Sequence, residues 1–252
     1  MKSRGFDGAS VVMGRDRIHH RAASQQWHNP IMRKLSIVAA LLLAATAHAQ
    51  SLDDVVSSVM KEYGGQAAWQ KVTTLRESGT VVPMMRKGDG KMTRFWQKPD
   101  KLRFDVTYPT EREVRIVDGD HGTRNDKEVT GGSLDAMKLQ AARLALPLLL
   151  AEKRASLHDL GTKDGVCTIE IPLSASLTLT VNVDTKTSHI VRSTGKASGL
   201  EFVVDYSDFR RVNGLLFPFA EAGMAQGMPT ANTKLEAIEI NAPSAPPPPA
   251  AK

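Results

Sequence analysis

Residues 91–119 read KMTRFWQKPDKLRFDVTYPTEREVRIVDG, and their pattern decides the fold. In the middle segment Leu102, Phe104, Val106 and Tyr108 alternate with Lys101, Arg103, Asp105 and Thr107, the period of a half-buried strand. Lys98-Pro99-Asp100-Lys101 on one side and Tyr108-Pro109-Thr110-Glu111 on the other supply turn chemistry. Three strands of about seven residues therefore follow one another as an antiparallel meander with one apolar face. The chain's function turns on what that face covers, a core or a bound apolar molecule.

Upstream, Lys87-Gly-Asp-Gly-Lys91 reads as a hairpin turn, preceded by a strand from about Leu75 to Met85. Ser51-Leu-Asp-Asp is an N-cap with acidic first-turn residues. Val55, Val56, Val59, Met60 and Tyr63 hold helical spacing, and Gly64-Gly65 ends the helix. No preceding strand, G-x-G-x-x-G or Walker pattern makes that glycine pair a phosphate cradle. A short second helix, Gln66–Val72, carries Trp69.

Residues 32–49 form a secretory signal: Arg33-Lys34, an apolar run of 13 residues from Leu35 to Ala47, and an Ala47-His48-Ala49 site that cuts after Ala49. The run is short of the roughly 20 apolar residues of a spanning helix, so the reading is cleavage rather than anchorage. Residues 1–31 read as an extension from an upstream start codon, the alternative being a cytoplasmic tail. The signal directs the mature chain to the periplasm, with no transmembrane segment left after cleavage. Seven of the 33 Lys and Arg and two of the 27 Asp and Glu fall in residues 1–49, leaving 26 against 25. A near-neutral exported chain argues against nucleic acid as a partner. Residues 50–241 are expected to form one domain, a monomer, and the Pro-rich residues 242–252 a tail without a core. Cys167 is the single cysteine, so the chain has no internal disulfide; a buried thiol is the reading, an intermolecular bridge the alternative.

Beyond Val117, Asp118-Gly119-Asp120 opens a polar loop and Ser133 caps a helix. That helix, Leu134–Lys153, carries eight Leu or Met residues, more than one buried stripe requires, and Pro147 splits it near Arg143. It is either a core helix or a lid over the sheet. From Val166 the period returns to two: Leu177, Leu179, Val181 and Val183 face one way. Further strands near 189–194, 200–206, 215–220 and 233–240 bring the count to about ten or eleven.

No catalytic residue, metal site or cofactor is expected. His121, His158 and His189 are isolated in the sequence, and H-E-x-x-H, C-x-x-C and G-x-S-x-G are missing from it. The carboxylates alternate with Lys and Arg, which reads as a solvated outer β surface. The fold class is thus mainly β with α: a single curved antiparallel sheet forming an incomplete β-barrel, covered by about three helices. Incomplete filling by Trp69, Trp96, Leu102, Phe104 and Val117, with Leu144 and Leu148 on the lid, leaves a cavity for hydrocarbon. A charge placed at Leu102 is then expected to abolish ligand uptake without unfolding the protein.

The order Gly64-Gly65 after the first helix, Phe95-Trp96-Gln97-Lys98-Pro99-Asp100-Lys101-Leu102-Arg103, Val117-Asp118-Gly119, Val183-Asp184 and the run from Tyr206 to Pro218, behind a signal peptide, resembles the outer-membrane lipoprotein-sorting (LolA/LolB-like) family. The resemblance spans nearly all of the mature chain. It implies a half-barrel with an α-helical lid that binds acyl chains of lipoprotein or lipid, with envelope proteins as further partners. In the family's carrier an arginine precedes the proline and helps hold the lid; here Lys98 stands there, without arginine's bidentate fork, and Leu102 replaces an aromatic. Two readings follow: a periplasmic lipid or lipoprotein carrier, or a non-carrier interaction module of the same fold.

Overall fold

The structure, a computed structural model, describes residues 50–243. The expected leader and signal at residues 1–49, and the tail from 244 onward, lie outside the described residues. Ala242 is buried, and its carbonyl accepts from Thr74 Oγ1 at 2.8 Å.

Two helices lead in, α1 (Leu52–Glu62) and α2 (Gln66–Gln70). Ser51 Oγ accepts from Asp54 N while the Asp54 carboxylate accepts from Ser51 N, a closed capping box. Val55, Val56, Val59 and Met60 form the buried stripe of α1. The meander lies where the sequence puts it: β1 (Thr74–Pro83), β2 (Gly90–Gln97), β3 (Lys101–Thr107) and β4 (Arg112–Asp118). After it come β5 (His121–Arg124), β6 (Lys127–Glu128), α3 (Gly131–Arg143), α4 (Leu146–Glu152) and a 3-10 turn at Arg154–Ser156. The second half is β7 (His158–Lys163), β8 (Val166–Pro172), β9 (Thr178–Asp184), β10 (Ile190–Ala197), β11 (Leu200–Val212), β12 (Leu215–Ala225) and β13 (Met228–Ile240).

All thirteen strands form one antiparallel sheet in the order β6-β5-β4-β3-β2-β1-β13-β12-β11-β10-β9-β8-β7. Its two end strands do not pair, so the barrel is incomplete, as the sequence pattern implies. β1 against β13 joins the two hairpin series at the centre, with Leu75 opposite Ile240. The chain therefore leaves the sheet at one edge, β6, and re-enters it at the other, β7, with α3 and α4 between. Laid flat, twelve strand spacings would span about 58 Å. Helices of 13 and 7 residues reach only about 30 Å end to end. The sheet has to curl so that its edges approach, and the helices then cross its concave face.

Rows of apolar residues pave that face. Leu75, Trp96, Leu102 and Val117 are register partners across β1 to β4, and all are buried. Ile171, Leu179 and Gly195 make a matching row on β8 to β10. Gly195 lets α3 seat closely, since a Cβ there would lie 2.6 Å from Leu139 Cδ2. Cys167 is buried in β8, and burial pushes its thiol up, the chemistry of an inert core residue.

Three features differ from the sequence reading. The described residues form thirteen strands rather than ten or eleven, because β5, β6 and β7 lie at the sheet's edges and β7 has no buried residue, so no period of two marks it. The helix after β6 starts at Gly131, which places Ser133 inside it rather than at its cap. The long helix is split as Pro147 implies, at Ala145 (φ −130°, ψ 40°) with Pro147 in the first turn of α4, so the helices among the described residues number four rather than about three.

Candidate functional site

Between the concave face and α3 lies a cavity of about 380 Å³. Period-two positions supply its apolar wall: Val81 of β1, Met92 of β2, Leu102 and Phe104 of β3, and Phe202 and Val204 of β11. Helix α3 contributes Gln140 and Arg143 from its last turn. A second space of about 30 Å³, room for about one water, is lined by Trp69, Leu144 and Pro147. Arg143, Tyr206 and Glu221 border both spaces.

The sequence-predicted residues divide accordingly. Leu102 and Phe104 line the larger cavity and Trp69 and Leu144 the smaller, whereas Trp96, Val117 and Leu148 line neither and pack in the core. Trp69 stacks tilted against Phe217 at 5.3 Å between centroids and donates its indole N–H to Tyr63 O at 2.9 Å. Lys98 Nζ reaches Glu152 Oε1 at 2.6 Å and so ties the turn after β2 to the end of α4. Both partners are about a third exposed or more, so this tie contributes about 1 kcal/mol or less. Apolar packing of α4 under Leu146, Leu148 and Leu150 holds the cover far more strongly. Leu102 is only 2% exposed, so a charge there would be buried without a partner and would cost the fold as well as any binding. That corrects the expectation of a variant that stays folded.

The sequence reading also placed the carboxylates and their basic partners on the solvated face, which holds for Asp118, Glu236 and Glu239 but not for one cluster. Glu77, Arg94, Glu113, Arg115 and Glu221 point inward. Arg94 donates from Nε to Glu77 Oε2 at 2.7 Å, and from Nη1 and Nη2 to the two oxygens of Glu221 at 2.8 Å each. Burial pushes the Glu77 carboxyl up to about 7, against the pull of Arg94, which it shares with Glu221. Burial opposes the charge of Arg94 as well, but Glu221 and Glu77 outweigh it and hold the guanidinium above its ordinary value. Period two contained the signal: Arg94 shares a face with Met92 and Trp96, Glu77 with Leu75, and Glu221 with Phe217 and Phe219.

Arg143 differs from these. Its Nε donates to Ser193 Oγ at 2.9 Å and its Nη2 to Phe202 O at 2.9 Å. Ser193 is itself fully buried and bonded to Tyr206 OH at 2.7 Å. Burial lowers the guanidinium's pKa, but an arginine side chain stays cationic at any working pH. Burial also pushes the Tyr206 phenol up to about 12, so that it too keeps its proton. Among the described residues no group of three or more His, Cys, Asp or Glu is placed to hold a metal ion, and no helix is long and apolar enough to cross a membrane.

An open antiparallel sheet curled around an internal space and roofed by the helices that join its two edges defines the class of this protein. No protein-family model matches the chain, and no curated protein matches it in sequence. In structure it is similar to an outer membrane lipoprotein-sorting protein domain from Vibrio parahaemolyticus, at 9% identity over 76% of this chain and 93% of that one, TM-score 0.49. It is similar also to a LolA superfamily protein from Nitrosomonas europaea (9% identity, 74% and 94% covered, TM-score 0.47) and to a DUF1329 family protein from Desulfovibrio piger (6% identity, 77% and 95% covered, TM-score 0.49).

Proposed function

We propose that the protein is a non-catalytic periplasmic carrier that holds the hydrocarbon part of a lipid or lipoprotein between its concave sheet and its helical cover. The observation that carries this reading is the cavity itself: about 380 Å³, walled by Val81, Met92, Leu102, Phe104, Phe202 and Val204, beneath the helix that bridges the sheet. Ligand sites span about 300–1,000 Å³, so this space suits one acyl chain. Burial yields about 0.8 kcal/mol per methylene, and ten methylenes would supply about 8 kcal/mol before the cost of ordering the chain is subtracted. The cavity's carboxylates, Glu113 and Glu221, are tied to Arg115 and Arg94 in ion pairs, which suits a scaffold and a polar lining rather than a reaction.

The test is to fill the space without breaking the fold. Val204 is half-buried on the cavity wall, between Ser193 of β10 and Gly223 of β12. Val204→Trp is expected to cut the uptake of a fluorescent fatty acid at least about tenfold, at a stability cost of about 1–3 kcal/mol. Uptake unchanged in the folded variant, or no uptake by the natural protein, would overturn the reading.

A further inference from the structure

Four arginines border the cavity, and three of them are neutralised there. Arg86 meets Glu111 at 2.9 Å, Arg94 meets Glu77 and Glu221, and Arg115 meets Glu113 at 2.7 Å. Among the described residues Arg143 has no carboxylate at ion-pair distance; its two bonds go to a hydroxyl and a backbone carbonyl. A guanidinium carries five N–H donors, so three remain on Arg143. The residue is half-buried, and it lines the cavity. Holding a half-buried cation with neutral partners costs solvation, and that cost falls when an anion enters. The two bonds that are made fix the plane of the guanidinium, which leaves its free edge pre-set for a planar two-oxygen group.

We propose that Arg143 is the headgroup-binding residue of the cavity, and that the ligand is a single-chain amphiphile with an anionic head, a carboxylate paired to the Arg143 guanidinium while its chain lies along Met92, Phe104, Phe202 and Val204. This deepens the carrier reading and rests on it. A phosphate head offers the same charge and is distinguished below by its own ligand.

The experiment measures the binding of four twelve-carbon ligands to the natural protein and to Arg143→Gln by calorimetry: dodecanoate, dodecyl phosphate, dodecan-1-ol and dodecylamine. The natural protein is expected to bind dodecanoate about 10- to 100-fold more tightly than the alcohol, and the amine no better than the alcohol. In Arg143→Gln the preference for dodecanoate over dodecan-1-ol is expected to fall to within about threefold, while the affinity for the alcohol stays put. Dodecyl phosphate binding more tightly than dodecanoate would overturn the carboxylate assignment. Equal binding of acid and alcohol by the natural protein, or a preference that survives in Arg143→Gln, would overturn the role of Arg143 and leave the carrier reading standing. Failure of all four ligands to bind would overturn both. Should the variant not fold, the ranking of acid, alcohol and amine on the natural protein decides alone.

Discussion

Arg94→Met is expected to lose about 3–5 kcal/mol of folding stability, measured by urea denaturation at neutral pH. Methionine fills much of the same volume, so the loss is electrostatic. Arg94 is the one cation shared by Glu77 and Glu221, whose side chains are 6% and 14% exposed. Without it two buried carboxylates face each other unpaired. The deficit also has a defined pH dependence. Burial already raises Glu77 from its ordinary 4.5 to about 7, so the group ionises more readily unfolded than folded. A raised carboxyl contributes stability that is full below its unfolded value and is lost as pH rises through its folded value. The loss in the Arg94→Met variant is therefore expected to be largest above pH 7 and to shrink toward pH 5, where the carboxyls take up protons. The triple variant Arg94→Met, Glu77→Gln, Glu221→Gln is expected to recover most of the stability at neutral pH. A single variant as stable as the natural protein would mean that the three charges are not buried together.

Trp69→Ala is expected to cost a similar amount, about 3–5 kcal/mol. The residue is 1% exposed, packs on Phe217 and borders the small space it shares with Leu144 and Pro147. Its indole N–H satisfies the carbonyl of Tyr63, at the end of α1. Trp69→Phe keeps the packing and drops the bond, so it is expected to cost about 1 kcal/mol. The same pair separates two views of Trp69. A residue that lines a ligand space would lose binding with little loss of stability, whereas a core residue loses stability first. Thermal unfolding of both variants, beside their uptake of a fluorescent fatty acid, distinguishes the two.

The fold was legible where one face of a strand meets apolar neighbours and the other meets water. Leu177 to Val183 alternate in the sequence and are buried in the structure in that alternation, while in β3 Leu102 and Val106 are buried and Phe104 between them is half-buried on the cavity wall. The edge strands were not legible: in β7 every residue is exposed, and HDLGTK carries no pattern that separates a strand from a loop. The split of the long helix could be read from Pro147, but its start could not, because the N-cap Thr130 makes no side-chain bond that would mark it. The cavity was legible as a surplus of apolar surface, not as a list of residues. Trp96 and Val117 share a face with Leu102, and only the curl of the sheet decides that they pack in the core while Leu102 and Phe104 reach the space. The inward arginines could have been found by applying period two to charged residues as strictly as to apolar ones. Arg143 could not, since a helix near its break gives no reading of which side the last turn presents.

The central claim is that hydrocarbon from outside the chain occupies the space under α3. The most direct measurement is mass spectrometry of an organic extract of the protein purified from the envelope fraction of its own cells, run beside Val204→Trp. The account predicts about one acyl-chain amphiphile per molecule in the natural protein and none in the variant. A natural protein that yields no lipid, and instead retains an envelope protein through purification, would contradict it.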